Sequence, residues 1–204
     1  MRKAIVKLWL LVDPLYYWLT RLTYIGRYRK HPSNIFRVRL TRYKGKEVML
    51  EDGTLIKKND ILVKIHLHNV RLINDFFHVK NDVKKAFYIY NVVKESLPGL
   101  ATYVLTHKRS AEIKGIIGIT TLNKGTKRLG FESVSIQNIF YKCIKMTTFL
   151  PIHLLSLSHP NFHNVVKQPI PKYIFMSKSR LISMYVRPPK PIRNLQRRER
   201  DVSS

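Results

Sequence analysis

Cysteine is almost absent: Cys143 is the one thiol in 204 residues, which excludes an internal disulfide and any cysteine-built metal cage. It lies in the apolar stretch Phe140-Tyr141-Lys142-Cys143-Ile144, so a buried, inert thiol is expected, in keeping with a reducing compartment. Acidic side chains are scarce as well, twelve against 38 Lys and Arg, for a formal charge of +26. That imbalance attracts any polyanion, whether nucleic acid, anionic lipid or acidic polymer, and does not choose among them. Long apolar runs are missing too. Arg2 and Lys3 open an apolar N-terminal stretch, but Lys7 and Asp13 interrupt it and Pro14 follows. A secretory signal needs an unbroken apolar core, and a spanning helix needs about 18 apolar residues. The expectation is a cytoplasmic chain, able to lie peripherally at the inner membrane face, with neither signal peptide nor transmembrane helix.

Catalytic motifs are also lacking. No Gly-x-Ser-x-Gly, His-Glu-x-x-His or Gly-x-Gly-x-x-Gly occurs, and no close carboxylate pair sits behind an apolar shield. The reading leans away from an enzyme, with no cofactor. Gly115 and Gly118 fall within a β-rich run, where glycine permits a bulge or close helix packing rather than a phosphate loop.

What is present begins with an apolar content of 45%, that of a globular chain. Residues 1–186 read as a single domain. Residues 187–204 hold three prolines and six basic residues, the composition of a disordered basic tail. Ile5, Leu8, Val12, Leu15, Leu19 and Leu22 recur at steps of three and four, which predicts a helix over 3–25 with a restart at Asp13-Pro14. From Ile35 to Tyr43 the period is two, with Phe36, Val38 and Leu40 opposite Arg37, Arg39 and Thr41. Turns at Lys44-Gly45, Asp52-Gly53 and Asn59-Asp60 then lead to a strand over 61–68, an antiparallel meander. Asn81 or Asp82 caps a helix whose buried stripe is Val83, Phe87, Tyr90, Val93 and Leu97, and Pro98-Gly99 breaks it before a second helix. A strand over 114–122, a short one near Val134 and a long helix over 136–158 follow. A last element spans Tyr173 to Tyr185, with Ser177 as a helix cap. Strands followed by helices and more strand give an α+β fold, an antiparallel meander packed against several helices.

Three groups of residues carry candidate chemistry. His66 and His68 lie two apart on a strand and so share a face with Lys64. They could form half of a metal site, with Asp60 nearby in sequence, although no third ligand stands at motif spacing and the plainer reading is polar-face histidines. The N-terminal helix joins its leucine stripe to Trp9 and Trp18, with Lys3, Lys7 and Arg21 opposite and Arg27, Arg29 and Lys30 beyond. That suits contact with an anionic surface, while the stripe equally suits core packing, which a domain of this size favours. Arg37, Arg39 and Arg42 beside Tyr43 could serve a single-stranded nucleic acid, though their simpler reading is a solvated outer face. His159 and His163 flank Pro160 and read as loop.

Three stretches together resemble a known family. They are Glu51 to Asp60 (Glu-Asp-Gly-Thr-Leu-Ile-Lys-Lys-Asn-Asp) running into Ile65-His66-Leu67-His68-Asn69, then Gly115-Ile116-Ile117-Gly118-Ile119-Thr120 continuing to Arg128-Leu129-Gly130-Phe131, and Asp13-Pro14-Leu15. In combination they are similar to the bacterial YkoP-like family, over residues 1 to 185. The resemblance implies a domain of unknown function, found alone or joined to polysaccharide deacetylases, and hence the cell envelope and glycan-processing protein partners. The deacetylase metal pattern is missing, so that activity does not carry over. His66 and Asp60 fall within the family-like segment. The preferred expectation is a non-catalytic accessory module on an anionic envelope surface, membrane lipid ahead of other polymers. A nucleic-acid-binding protein comes next, and a metal-dependent enzyme or binder centred on His66 and His68 third.

Overall fold

The computed structural model describes residues 22–25, 34–68, 71, 72, 75, 79, 81–122, 125–156 and 169–186, with backbone alone over 148–156. The N-terminal helix with Lys3, Lys7, Trp9, Trp18 and Arg21, the basic residues Arg27, Arg29 and Lys30, the pair His159 and His163, and the tail lie outside these residues.

The strands are β1 (Thr23–Tyr24), β2 (Phe36–Arg42), β3 (Val48–Met49), β4 (Leu55–Ile56), β5 (Ile61–Leu67), β6 (Ile113–Thr120), β7 (Glu132–Ser135) and β8 (Lys172–Ser177). The helices are α1 (Asp82–Thr106), α2 (Ile139–Ser156) and α3 (Lys178–Tyr185). Six strands form one sheet in the order β1-β2-β5-β6-β8-β7, while β3 and β4 make a separate hairpin. The fold is α+β. Its sheet differs from a simple meander, because β2 pairs directly with β5 and the hairpin between them stands aside. β5 and β6 are parallel; a parallel pair needs a crossover, and α1 supplies it. The sequence places helix as far as residue 25, but Thr23 and Tyr24 pair with Val38 and Arg37, since β2 offers an open edge there.

Alternation in β2 and β5 sends Phe36, Val38, Ile61, Val63 and Ile65 to one face. There they meet Ile116, Met176 and Leu181, together with Leu97, Leu100, Ala101 and Val104 of α1, in the main core. Asn81 caps α1 by accepting from the Val83 and Lys84 N–H groups at 2.9 and 3.1 Å. Contrary to expectation, α1 runs unbroken through Pro98. A proline in a helix interior costs ~3 kcal/mol, but fully burying Leu97, Leu100 and Val104 contributes ~1.5–3 kcal/mol each, so burial decides. The stripe is also placed differently. Val83 and Phe87 are 78% and 66% exposed, because only the part of α1 from Ile89 onward reaches the core.

Close approach explains two glycines. A Cβ on Gly99 would stand 2.6 Å from the Asn34 side-chain nitrogen, where Asn34 donates to the Ser96 carbonyl at 2.8 Å and Ser96 Oγ accepts from the Ile35 N–H at 3.1 Å. A Cβ on Gly115 would stand 2.6 Å from the Met176 carbonyl oxygen, beside a register shift at Ile61 and Leu62. The strand glycine thus accompanies a bulge, as its sequence context predicts.

On the opposite sheet face the β3–β4 hairpin covers one end. Leu50 and Ile56 pack on Tyr43, Leu62, Ile117 and Phe175. Polar contacts latch the hairpin in place: the Glu51 N–H donates to Glu132 at 2.9 Å, Lys127 donates to Glu51 at 2.9 Å, and Ser177 and Ser179 both donate to Asp52. Ser177 also caps α3, accepting from the Arg180 N–H at 3.0 Å. Among the described residues no helix is long and apolar enough to cross a membrane.

Candidate functional site

Beyond the hairpin the second face changes character. The β2–β5 register sets Arg39 opposite Lys64 and Arg37 opposite His66, on the side away from Val38, Val63 and Ile65. Like charges directly opposed across strands destabilise a sheet. α2 adds another, since Lys145 lies close enough to act on Lys64 and His66. Tyr141 anchors α2 there, its ring stacked on Tyr173 of β8 at 6.3 Å and 15°, with the Lys145 ammonium 5.2 Å from the Tyr141 ring centre.

Electrostatics follow from this crowding. Burial, reinforced by Arg39 and Lys145, pulls Lys64 down to about 8. Burial pulls His66 further, to about 3, with Lys64, Arg39, Lys145 and Arg37 adding to it. Lys145 is lowered by burial and by Arg39. His66 is therefore neutral at pH 7, and its Nε2 is buried with no hydrogen-bond partner. Burial also raises the Tyr141 and Tyr173 phenols, keeping both protonated.

The two histidines of the sequence motif take separate roles. Arg37 donates to His68 Nε2 at 2.7 Å and lies 4.9 Å from the centre of the Tyr24 ring. A guanidinium can only donate, so the Nε2 lone pair is committed to Arg37. Asp60 stands at the far end of β5, about 20 Å from His66 at ~3.3 Å per strand residue. There it accepts from the Lys57 N–H at 2.8 Å and closes its turn. Among the described residues no group of three or more His, Cys, Asp or Glu side chains is placed to hold a metal ion.

Three further readings need correction. Arg37 is 3% exposed and Arg39 is half-buried, so of the three strand arginines only Arg42, at the end of β2, lies on a solvated face. Tyr24 and His68, which lie against Arg37, are remote from it in sequence, which hides its burial from strand periodicity. Tyr43 is buried, edge-on to Phe175 at 5.7 Å, with its hydroxyl donating to the Lys46 carbonyl at 2.8 Å, so it offers no ring to a base. Cys143 is exposed, because α2 turns Tyr141 and Lys145 toward the sheet and leaves the intervening side outward. Sequence reasoning also missed Lys145, Tyr141 and Tyr173. The available signal was Tyr141 and Lys145, four apart and thus on one helix face.

These features belong to a compact α+β domain with a cation-lined sheet face, and comparison places it in a family. The YkoP domain family matches residues 2–185, so the chain belongs to that family, as its three quoted stretches indicate. It is 43% identical over 185 residues to the uncharacterized protein YkoP of Bacillus subtilis (strain 168), covering 91% of this chain and 98% of that one. No solved structure matches it significantly.

Proposed function

We propose that this YkoP-family domain is a non-catalytic binding module for an anionic surface, acting as an accessory to glycan-processing proteins at the inner face of the cell envelope. The observation that carries the reading is the charge balance. Even if each of the twelve acidic side chains took one cation, 26 of the 38 Lys and Arg would have no carboxylate. Lysines 44, 46, 57 and 58 are exposed around the β3–β4 hairpin, where they are free to meet phosphate headgroups. The aromatic N-terminal segment with Trp9 and Trp18 supports membrane lipid over other polyanions. The envelope setting rests on the family's association with polysaccharide deacetylases.

Co-sedimentation with anionic and neutral vesicles tests this, at about 0.15 M salt, where exposed charges are screened beyond ~8 Å. Excess DNA competes, and a Trp9→Ala/Trp18→Ala variant is run alongside. Uptake by anionic vesicles alone, surviving DNA and reduced in the variant, is expected. Uptake abolished by DNA would move the module to nucleic acids, and no uptake would sink the surface reading.

A further inference from the structure

The layer that covers the second sheet face turns apolar side chains outward. Tyr173 and Phe175 lie two apart on β8 with ring centres 5.9 Å apart, so the hairpin packed on Phe175 and the helix α2 stacked on Tyr173 are neighbours. α2 faces the sheet through Tyr141. Ile139, Phe140, Cys143, Ile144 and Thr147 share its other side by helical spacing, and all five are exposed, Ile139 and Phe140 at 76% each. None of the 18 residues of α2 is acidic, and its two lysines, Lys142 and Lys145, are half-buried. On the hairpin Val48 packs inward, so alternation turns Met49 outward, where it is 63% exposed. The exposed Lys44, Lys46, Lys57 and Lys58 flank the same hairpin. Of the four carboxylates in this stretch, Glu51 and Asp52 serve the latch and Asp60 its turn, which leaves Glu47 against four lysines.

We propose that the outer side of this layer is a membrane-docking face, on which Ile139, Phe140, Ile144 and Met49 enter the interfacial region of an anionic bilayer while the four lysines meet its phosphates. A cluster of exposed apolar side chains marks a contact site, and charge selects the partner. A second copy would bring another +26 to the contact, and repulsion opposes that pairing. Nucleic acid supplies phosphate but no apolar interior. An anionic bilayer supplies both. The other strongly exposed pair, Val83 and Phe87, stands on α1, which carries Asp82 and Glu95, groups that an anionic surface repels. This docking face rests on the anionic-surface reading above and adds to it an orientation and a set of inserted side chains.

Cys143, the one thiol of the chain, stands exposed on the outward side of α2 and takes an environment-sensitive fluorophore directly. The full chain labelled there is titrated with phosphatidylglycerol/phosphatidylcholine vesicles, and with phosphatidylcholine vesicles alone, at about 0.15 M salt. A blue shift with the anionic vesicles only, quenched by spin-labelled lipid, is expected. A label moved to the exposed start of α1, in Cys143→Ser/Lys84→Cys, should stay unshifted. Ile139→Ser/Phe140→Ser should weaken uptake about tenfold or more, the scale of two large apolar side chains left in water, and should keep that loss at about 0.5 M salt, where charge is screened. Lys57→Gln/Lys58→Gln should weaken uptake about tenfold at ~0.15 M salt and far less at ~0.5 M. These positions are exposed, and thermal unfolding checks that each variant keeps its fold; if one does not, the label at Cys143 decides. An unshifted Cys143 label, or undiminished uptake of the Ile139→Ser/Phe140→Ser variant, would overturn this face while uptake itself leaves the surface reading standing, whereas no uptake would sink both. A blue shift without vesicles that grows with protein concentration would overturn it in favour of a second copy.

Discussion

The two faces of one sheet make an instructive pair. On the face of Phe36, Val38, Val63 and Ile65, α1 and α3 close over apolar side chains, and complementary shape and burial hold the layers together. On the other, the same strands present Arg37, Arg39, Lys64 and His66, the last three within reach of Lys145 of α2. The strands are shared, so the backbone cannot account for the difference. The first face is built to exclude water and is indifferent to pH over the range where its neighbours titrate. The second keeps titratable groups whose burial opposes their charge, so its contribution to stability depends on pH.

The largest effect should come from breaking the first face. Leu100 is fully buried between α1 and the sheet, and Leu100→Ala is expected to destabilise by about 3 kcal/mol in chemical denaturation, from lost burial plus the cavity left behind. A loss under ~1 kcal/mol would mean that α1 is not seated as described. On the second face the sign should reverse. Lys64→Met at pH 7 should stabilise by about 1 kcal/mol, as replacing a half-buried charge that burial disfavours often does. The native pKa of Lys64 lies below its ordinary value, so the unfolded chain binds more protons between about 8 and 10.5. The penalty is full below about pH 8 and fades as pH rises to 10.5, and the advantage of Met should fade with it. Thermal unfolding at pH 7 and pH 10 distinguishes these cases.

The smallest effect concerns His66. With its pKa depressed to about 3 from 6.5, the unfolded state takes up the proton first as pH falls, so this residue costs stability progressively between pH 6.5 and 3. His66→Asn should flatten that part of a melting-temperature profile by a few degrees, about the shift that 1 kcal/mol produces in a domain of this size. An unchanged slope would place the imidazole in a wetter setting than the one described.

The apolar face was the more legible in the sequence, since period-two alternation is local and reports itself at Phe36, Val38, Val63 and Ile65. The caps at Asn81 and Ser177 were legible for the same reason, each being a side chain serving its own helix. Pro98 misled because the local rule is correct about cost and silent about Leu97 and Leu100, whose burial is settled by strands distant in sequence. The stripe through Val83 and Phe87 misled likewise, as helical spacing shows which residues share a side but not how far the sheet extends beneath them. The candidate site was half visible. Alternation put Arg37 with Arg39 on one face of β2 and Lys64 with His66 on one face of β5, but only tertiary structure pairs the two strands and brings Lys145 of α2 near Lys64 and His66. Cys143 is the converse, an apolar neighbourhood in sequence that the helix turns outward.

The strand order carries a consequence for how the chain comes off the ribosome. β8, late in the sequence, is inserted between β6 and β7, and the latch that holds the β3–β4 hairpin is completed by Ser177, Ser179 and Arg180. Until Lys172–Arg180 has emerged, β6 has an open edge, β7 has no partner strand, and the early hairpin has only part of its anchorage. The domain therefore closes late, as a zip drawn shut by one of its last strands, and the nascent chain spends most of its synthesis with an exposed sheet margin that pairing must eventually cover.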